Sequence, residues 1–149
     1  MSAVEVVLLP VGDELYAVPM ELVRKVVADP PITMLVTAPP VVLGLFNLRG
    51  QIVPLFDTAV LLGVGSVDEA KFTFVAVVQT PYGLAGLAAT GLPQRAVLET
   101  ETGPSELHGT IGVFRLGRRV AVLLDLTALL TPERLGGRDR DVALPAGLG

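Results

Sequence analysis

Short apolar stretches alternate with turn-forming residues along most of the chain. The stretches are rich in valine, leucine and phenylalanine, and glycine, proline, asparagine or aspartate separates them, which is typical of β-strands joined by tight turns. Their close spacing favours a small barrel or sandwich over alternating strands and helices. We predict ten strands, at residues 4–9, 15–18, 23–27, 45–48, 52–55, 72–79, 83–88, 94–98, 113–116 and 120–124.

A sequence repeat divides the chain into two halves. Residues 44–63 and 112–131 align without a gap at an offset of 68, with identities at Gly44/Gly112, Phe46/Phe114, Leu48/Leu116, Leu55/Leu123, Asp57/Asp125, Leu61/Leu129 and Leu62/Leu130. We therefore predict one all-β domain over residues 1–131, made of two pseudo-repeated subdomains at about 1–66 and 67–131 with five strands each. Units of this size bury too little surface to be stable alone, so the subdomains should pack together.

An aspartate precedes a leucine-rich segment at the same place in both halves. Asp57 and Asp125 each follow a predicted strand, where a carboxylate can accept hydrogen bonds from the first free amides of a helix. We predict a short helix after each aspartate. Pro132 cannot extend the second helix, and the charged, glycine-containing residues 132–149 are predicted to form a mobile tail.

The composition narrows the possible functions. Hydrophobic residues make up 51% of the chain, and the charged fraction is 17%, below that of an average soluble domain. This excess fits the filling of small barrels, an adhesive surface for a partner protein, or both. A net charge of −4 without a basic face argues against nucleic-acid binding. The apolar stretches are too short for a membrane helix, a secretory signal is not apparent and cysteine is absent, so we expect a cytoplasmic protein without membrane insertion.

The sequence offers little for catalysis or metal binding. His108 is the only histidine, and there is no second imidazole or thiolate to share a metal with it. Asp57 and Asp125 could be proposed as paired catalytic carboxylates, but their equivalent places in the repeat favour two separate helix caps. We expect no catalytic residue, no metal and no cofactor. A barrel that binds a small apolar ligand is an alternative, because valine and leucine are abundant and charges are few.

One arginine is a candidate for partner binding. Asn47, Leu48, Arg49 and Gly50 close a predicted hairpin and place a guanidinium beside an apolar surface, and arginine is common among interface anchors. The alternative is an ordinary exposed turn residue, as Arg118 occupies a similar hairpin tip in the second half.

Residues 37–63, TAPPVVLGLFNLRGQIVPLFDTAVLLG, resemble the signature region of CheW-like coupling proteins, in which a proline-containing loop leads to NLRG, a strand and an acidic residue. The resemblance continues through YGLAGLAATG and GVFRLGRRVAVLLDLTALL to about residue 131. It implies two five-stranded SH3-like barrels packed together. It also implies a non-enzymatic adaptor that binds the regulatory domain of a CheA-type histidine kinase and the helical cytoplasmic tip of chemoreceptors, recruited to membrane-associated receptor arrays.

The resemblance suggests a set of partner-binding residues: Asn47, Arg49 and Gly50 of the NLRG motif, with Lys25 and Val27 of the third strand. Lys25 departs from the family, in which an acidic residue is frequent there and can pair with the arginine of NLRG. Thr90 likewise stands where an aspartate is common. The altered charge at Lys25 fits a divergent receptor or the equivalent adaptor of a type IV pilus signalling system.

Overall fold

The computed structural model describes residues 3–34, 40–67 and 72–133, and strands dominate them. Each of the ten predicted strands is present, and the all-β prediction is confirmed. The strands are β1 Val4–Val11, β2 Glu14–Pro19, β3 Val23–Ala28, β4 Val42–Leu48, β5 Gln51–Phe56, β6 Phe74–Thr80, β7 Gly83–Ala89, β8 Gln94–Leu98, β9 Thr100–Gly103, β10 Thr110–Leu116 and β11 Arg119–Leu124. The short helices are a 3-10 turn at Met20–Leu22, α1 at Thr58–Leu62 and α2 at Leu126–Leu129.

The strands form two sheets, and each sheet contains strands from both sequence halves. The six-stranded sheet has the order β8-β1-β2-β11-β10-β9, and the five-stranded sheet has the order β3-β6-β7-β5-β4. The first hairpin of each half therefore lies in the sheet built mainly by the other half. Parallel pairing of β11 with β2, and of β5 with β7, joins the exchanged hairpins to their hosts. The sheets thus do not divide at residue 66, and the subdomain bounds 1–66 and 67–131 stay a prediction.

Strand β9 adds a sixth strand to one sheet, and the sequence did not indicate it. Its residues, Thr100–Gly103, are threonine, glutamate, threonine and glycine, which show no alternation of apolar and polar positions. The strand lies at the edge of its sheet and pairs only with β10, so little of it needs to be buried. Hydrophobic periodicity cannot detect a strand that buries almost nothing.

The repeat seen in the sequence is also present in the backbone. The hairpins β4–β5 and β10–β11 both have a register shift at the glycine of the repeat, next to Gly44 and Gly112. The amide of Asp57 donates to the Val41 carbonyl, and the amide of Asp125 donates to the Gly109 carbonyl, both at 2.8 Å. These two bonds stand at the same offset of 68. The halves therefore share backbone detail as well as sequence.

Strands β1, β2 and β11 separate two hydrophobic clusters. Successive side chains of a strand point to opposite faces. On β2, Ala17 packs in a small cluster inside the six-stranded barrel, whereas Val18 packs in a larger cluster with the five-stranded sheet. Both residues have an exposed fraction of 0%. Burial on both faces explains why β1, β2 and β11 are apolar at nearly every position. The two barrels pack against each other across these strands.

The two predicted helix caps are confirmed. The buried carboxylate of Asp57 accepts hydrogen bonds from the amides of Ala59, Val60 and Val67 at 2.9–3.2 Å. Asp125 accepts one bond, from the Ala128 amide at 3.3 Å. The helices after both aspartates are short, with five and four residues.

The predicted tail, residues 132–149, falls outside the described residues from position 134 onward. In the described part of the chain, no helix has the length and apolar character to span a membrane.

Candidate functional site

The hairpin between β4 and β5 ends in a two-residue turn. Leu48 pairs with Gln51, so Arg49 and Gly50 form the loop. Their φ angles are 53° and 88°, both in the left-handed region, which is the pattern of a type I′ turn. Asn47 supports the turn, because its Oδ1 accepts a hydrogen bond from the Gly50 amide at 2.8 Å. The motif that the sequence singled out is therefore one compact turn.

Arg49 adopts a backbone conformation that is costly for a residue with a Cβ. The left-handed region costs an L-residue other than glycine roughly 1–2 kcal/mol. Only Asp29 and Arg49 have positive φ among the described residues that are not glycine. In the hairpin β10–β11 the equivalent position is Gly117, with φ of 61° and no such cost. Strain of this kind at an exposed site is a reason to look for a role in binding.

An apolar surface lies beside this tip. On the outer face of β4 and β5, Ile52 is opposite Asn47 and has an exposed fraction of 59%. Two residues further along the hairpin, Leu45 lies opposite Pro54 on the same outer face, and both side chains are half-buried. Arg49 itself is exposed. A guanidinium at the end of an apolar strip has the composition of a protein-binding hot spot. We call these residues, Leu45, Asn47, Arg49, Gly50, Ile52 and Pro54, the hairpin surface.

Lys25 and Val27 lie on β3, at the other edge of the five-stranded sheet. A register shift between Val23 and Lys25 interrupts the alternation of faces, and Arg24, Lys25 and Val26 are all exposed. Val27 is half-buried and packs against the larger hydrophobic cluster, which gives it a structural contact as well. The predicted site residues therefore form two groups, on two edge strands with β6, β7 and β5 between them.

The other residues that the sequence singled out lie where they support the fold or are simply exposed, and they do not form a catalytic or metal site among the described residues. His108 is exposed, and within the described residues no three histidine, cysteine, aspartate or glutamate side chains converge on a possible metal site. Asp57 and Asp125 cap different helices. The Thr90 hydroxyl accepts a hydrogen bond from the Gly12 amide at 2.9 Å, and the Thr90 amide donates to the Pro10 carbonyl at 2.8 Å. Thr90 thus fixes the β1–β2 hairpin, a role that sequence analysis missed.

Sequence analysis also missed a groove between the six-stranded sheet and α1. We call it the α1 groove; its volume is about 680 Å³. It is lined by Val11, Gly12, Asp13, Glu14, Tyr16, Ala59, Val64, Gly65, Ser66, Val67, Thr90, Leu107 and Val122. Burial, and then the charge of Glu14, raise the pKa of Tyr16 above its ordinary value. No local signal marks this groove, because its walls come from segments far apart in the sequence.

Comparisons with known proteins agree on one family. The model of the CheW-like domain matches residues 5–134. Chemotaxis protein CheW of Helicobacter pylori is 34% identical over 130 residues, covering 83% of this chain and 79% of that protein. Chemotaxis protein CheW of Rhizobium meliloti is 31% identical over 137 residues, covering 87% of this chain and 88% of that protein. The crystal structure of the scaffolding protein TtCheW from Thermoanaerobacter tengcongensis superposes with a TM-score of 0.74 at 20% identity, covering 89% of this chain and 96% of that one.

Proposed function

Because the chain belongs to the CheW-like domain family, we propose that it is a non-enzymatic adaptor that couples a CheA-type histidine kinase to chemoreceptors. The kinase contributes its regulatory domain and the receptor its helical cytoplasmic tip. The adaptor acts in the cytoplasm, at receptor arrays on the membrane. It acts by bivalence: one chain that holds both partners raises the effective concentration of each near the other.

The observation that carries the proposal is the conformation of Arg49. A glycine would fill this turn position without strain, as Gly117 does in the equivalent hairpin. The chain instead keeps an arginine there, at a cost of roughly 1–2 kcal/mol, on an exposed tip next to Ile52. We assign Asn47, Arg49 and Gly50 to one partner contact. In this assignment Arg49 supplies the guanidinium, and Asn47 and Gly50 hold the turn that presents it.

We also assign Lys25 and Val27 of strand β3 to partner contacts. Lys25 offers an exposed ammonium on a sheet edge, and Val27 offers the exposed part of a half-buried side chain. Strand β3 is a second exposed edge of the same sheet, which suits an adaptor that contacts a partner through more than one strand. The same surfaces would serve the equivalent adaptor of a type IV pilus or other motility system, which remains the alternative assignment of pathway.

Binding of a small apolar ligand inside a barrel has less support. At Gly86 in the five-stranded barrel, an added Cβ would lie 2.8 Å from Phe46 Cε1 and 2.8 Å from Val75 Cγ1. Side chains therefore already fill this part of the interior. The glycine is required because they do.

Binding assays with substitutions at Arg49 test the proposal. Purified kinase regulatory domain and receptor cytoplasmic fragment, each immobilised, are titrated with the parent chain and with Arg49→Ala. Truncation of an interface anchor costs about 2 kcal/mol, so Arg49→Ala should weaken one of the two contacts roughly 30-fold. Thermal unfolding should change little, because alanine carries the same left-handed strain.

Arg118→Ala is the matched control. Arg118 is an exposed arginine at the tip of the repeat-related hairpin β10–β11, and its loss should leave both affinities within about twofold of the parent. Undiminished binding of Arg49→Ala to both partners would refute the assignment of Arg49. Absence of binding to either partner by the parent chain would refute the adaptor proposal itself.

A further inference from the structure

Strand β3 is an open edge of the five-stranded sheet. It pairs with β6 on one side, and no backbone hydrogen bond or bridge in the described part of the chain joins the other side of residues 24–28 to another segment. Residues of a strand direct their amide and carbonyl groups alternately toward a neighbouring strand and away from it, so about half of these groups lack a protein partner. An added strand can hydrogen-bond to them.

The opposite edge of the sheet, strand β4, is partly covered. The Thr33 amide donates to the Leu45 carbonyl and the Leu45 amide donates to the Thr33 carbonyl, both at 2.8 Å. An added Cβ at Gly44 would lie 2.6 Å from the Thr33 carbonyl oxygen, so this cover also packs closely against β4. In the described residues, β3 is thus the more accessible edge of this sheet.

The outer face of β3 carries small apolar side chains. Val27 packs inward against the larger hydrophobic cluster, so its neighbours Val26 and Ala28 lie on the outer face. Both are exposed, and Val26 has an exposed fraction of 37%. Cross-strand neighbours with β-branched side chains pack well on such a surface. An added strand with β-branched residues at alternate positions would therefore cover Val26 and Ala28.

The charge along β3 runs from basic to acidic. Arg24 and Lys25 are exposed near its start, and neither forms an ion pair among the described residues. The Arg24 guanidinium donates to the Glu21 backbone carbonyl at 3.1 Å. Asp29, which is exposed and has a φ of 43°, follows the strand. An antiparallel strand would match this order if it began with a basic residue and ended with carboxylates beside Lys25 and Arg24.

Basic residues and a β-bulge on an edge strand also have a protective use, because they hinder pairing between exposed edges. The bulge of β3 lies between Val23 and Lys25, and the register with β6 is regular from Lys25 to Ala28. The regular part of the edge carries no charge after Lys25. Like charges on neighbouring strands are unfavourable and opposite charges are favourable, so this edge repels a basic strand and favours an acidic one.

We propose that β3 accepts an extended acidic segment of a partner protein as an added antiparallel strand. Its β-branched side chains lie opposite Val26 and Ala28, and its carboxylates lie opposite Lys25 and Arg24. The segment belongs to a protein surface other than the helical receptor tip, because a helix offers no free strand. The inference deepens the assignment of β3 to a partner contact, and for the existence of that partner it rests on the proposed function.

Binding of a synthetic peptide to the full chain tests the inference. The probe is KVTVEE, acetylated and amidated, whose valines would lie opposite Ala28 and Val26 and whose first glutamate would lie opposite Lys25. In ¹⁵N-labelled protein the amides of Val26, Val27 and Ala28 should shift in a saturable manner, and nuclear Overhauser effects should connect peptide Hα protons to β3. The amides of the acidic edge strand β9, Thr100–Gly103, should keep their positions. The assay uses neither kinase nor receptor, so this inference and the adaptor proposal can fail separately.

N-methylated peptides test for backbone pairing. Methyl groups on the nitrogens of the two valines remove one alternating set of donors, and methyl groups on the threonine and the first glutamate remove the other set. Only one of the two sets faces β3 in an added strand. One methylated peptide should therefore bind roughly tenfold more weakly than the probe, and the other should stay within about threefold of it.

Charge reversal on β3 tests recognition of the carboxylates. Arg24→Glu with Lys25→Glu should weaken binding of the probe about tenfold and should permit binding of KVTVKK, which the parent chain should not bind. Lys25→Glu alone keeps the Arg24 hydrogen bond and should weaken the probe about threefold, so the test survives if the double variant is unstable. Arg115→Glu with Arg118→Glu is the matched control, because it makes the same change in net charge on the exposed β10–β11 hairpin of the other sheet. The control should change the affinity less than about threefold.

Three results would overturn the inference. The probe could leave the amides of Val26, Val27 and Ala28 unmoved up to millimolar concentration. Both methylated peptides could bind as tightly as the probe, which would exclude backbone pairing. KVTVKK could bind the parent chain as well as KVTVEE does, or the control could weaken the probe as much as the β3 variant does, and the basic residues would then serve only to hinder edge pairing.

Discussion

Replacement of Arg49 by glycine should separate folding stability from binding. The left-handed conformation of Arg49, with φ of 53°, costs roughly 1–2 kcal/mol, and glycine adopts it without that cost. Glycine also makes the unfolded chain more flexible, which offsets about 0.4–1 kcal/mol. Arg49→Gly should therefore raise the free energy of unfolding by about 0.8 kcal/mol, which for a chain of this length is roughly 2–3 °C in Tm.

Urea denaturation followed by far-ultraviolet circular dichroism measures this change, and the binding assays with kinase and receptor fragments follow the same samples. The reciprocal variant, Gly117→Arg, places a Cβ at the left-handed position of the other hairpin and should lower stability by at least about 1 kcal/mol. If Arg49→Gly destabilises the protein, or binds both partners as well as the parent does, then strain at Arg49 is not being maintained for binding.

Three further predictions follow from the described contacts. Asp57→Ala should cost about 3 kcal/mol or more because it leaves three backbone amides without their acceptor, whereas Asp125→Ala, with one bond at 3.3 Å, should cost about 1 kcal/mol or less in the same urea titration. Gly86→Val should destabilise by about 3 kcal/mol through overpacking, whereas Gly103→Ala, which has open space around it, should change the unfolding midpoint little. Burial, and then the charge of Glu14, raise the pKa of Tyr16 above its ordinary value of 10.0, so Tyr16 loses its phenol proton at a lower pH in the unfolded state than in the folded state. The free energy of unfolding should therefore fall as the pH rises above about 10, and Tyr16→Phe should reduce that fall. An equal fall in both proteins would contradict this prediction.

Strands and caps could be predicted from the sequence because their causes are local. Side chains of β4 and β5 point alternately to the core and to the outer face, which produces an alternation of residue types in the sequence. A carboxylate before a leucine-rich segment can accept hydrogen bonds from the first amides of a helix. The repeat at an offset of 68 predicted equivalent units, and the matching hydrogen bonds of Asp57 and Asp125 show how far the equivalence extends.

The exchange of hairpins between sheets could not be predicted in the same way. Pairing of β11 with β2, and of β5 with β7, joins segments that are far apart in the chain. The hydrophobic pattern of a strand does not indicate which distant strand pairs with it. The same reason hides the α1 groove. Strand β9 was missed because an edge strand of Thr100–Gly103 buries too little to show a periodicity.

For the candidate site, the sequence located the hairpin tip but not its strain. Asn47 and Gly50 predict a tight turn, and the turn type that puts Arg49 at a positive φ emerges only with the strand register. Lys25 and Val27 were taken from the family pattern. Their roles in binding stay predictions.

Reconstitution of kinase activity tests the central claim most directly. Autophosphorylation of a full-length CheA-type kinase is measured with membrane-embedded receptor, with and without this chain. We expect receptor control of the kinase to appear only when the chain is present, and we expect Arg49→Gly to weaken that control while the protein itself becomes more stable. If the kinase activity does not respond to the receptor even after the chain is added, the chain does not couple the two proteins.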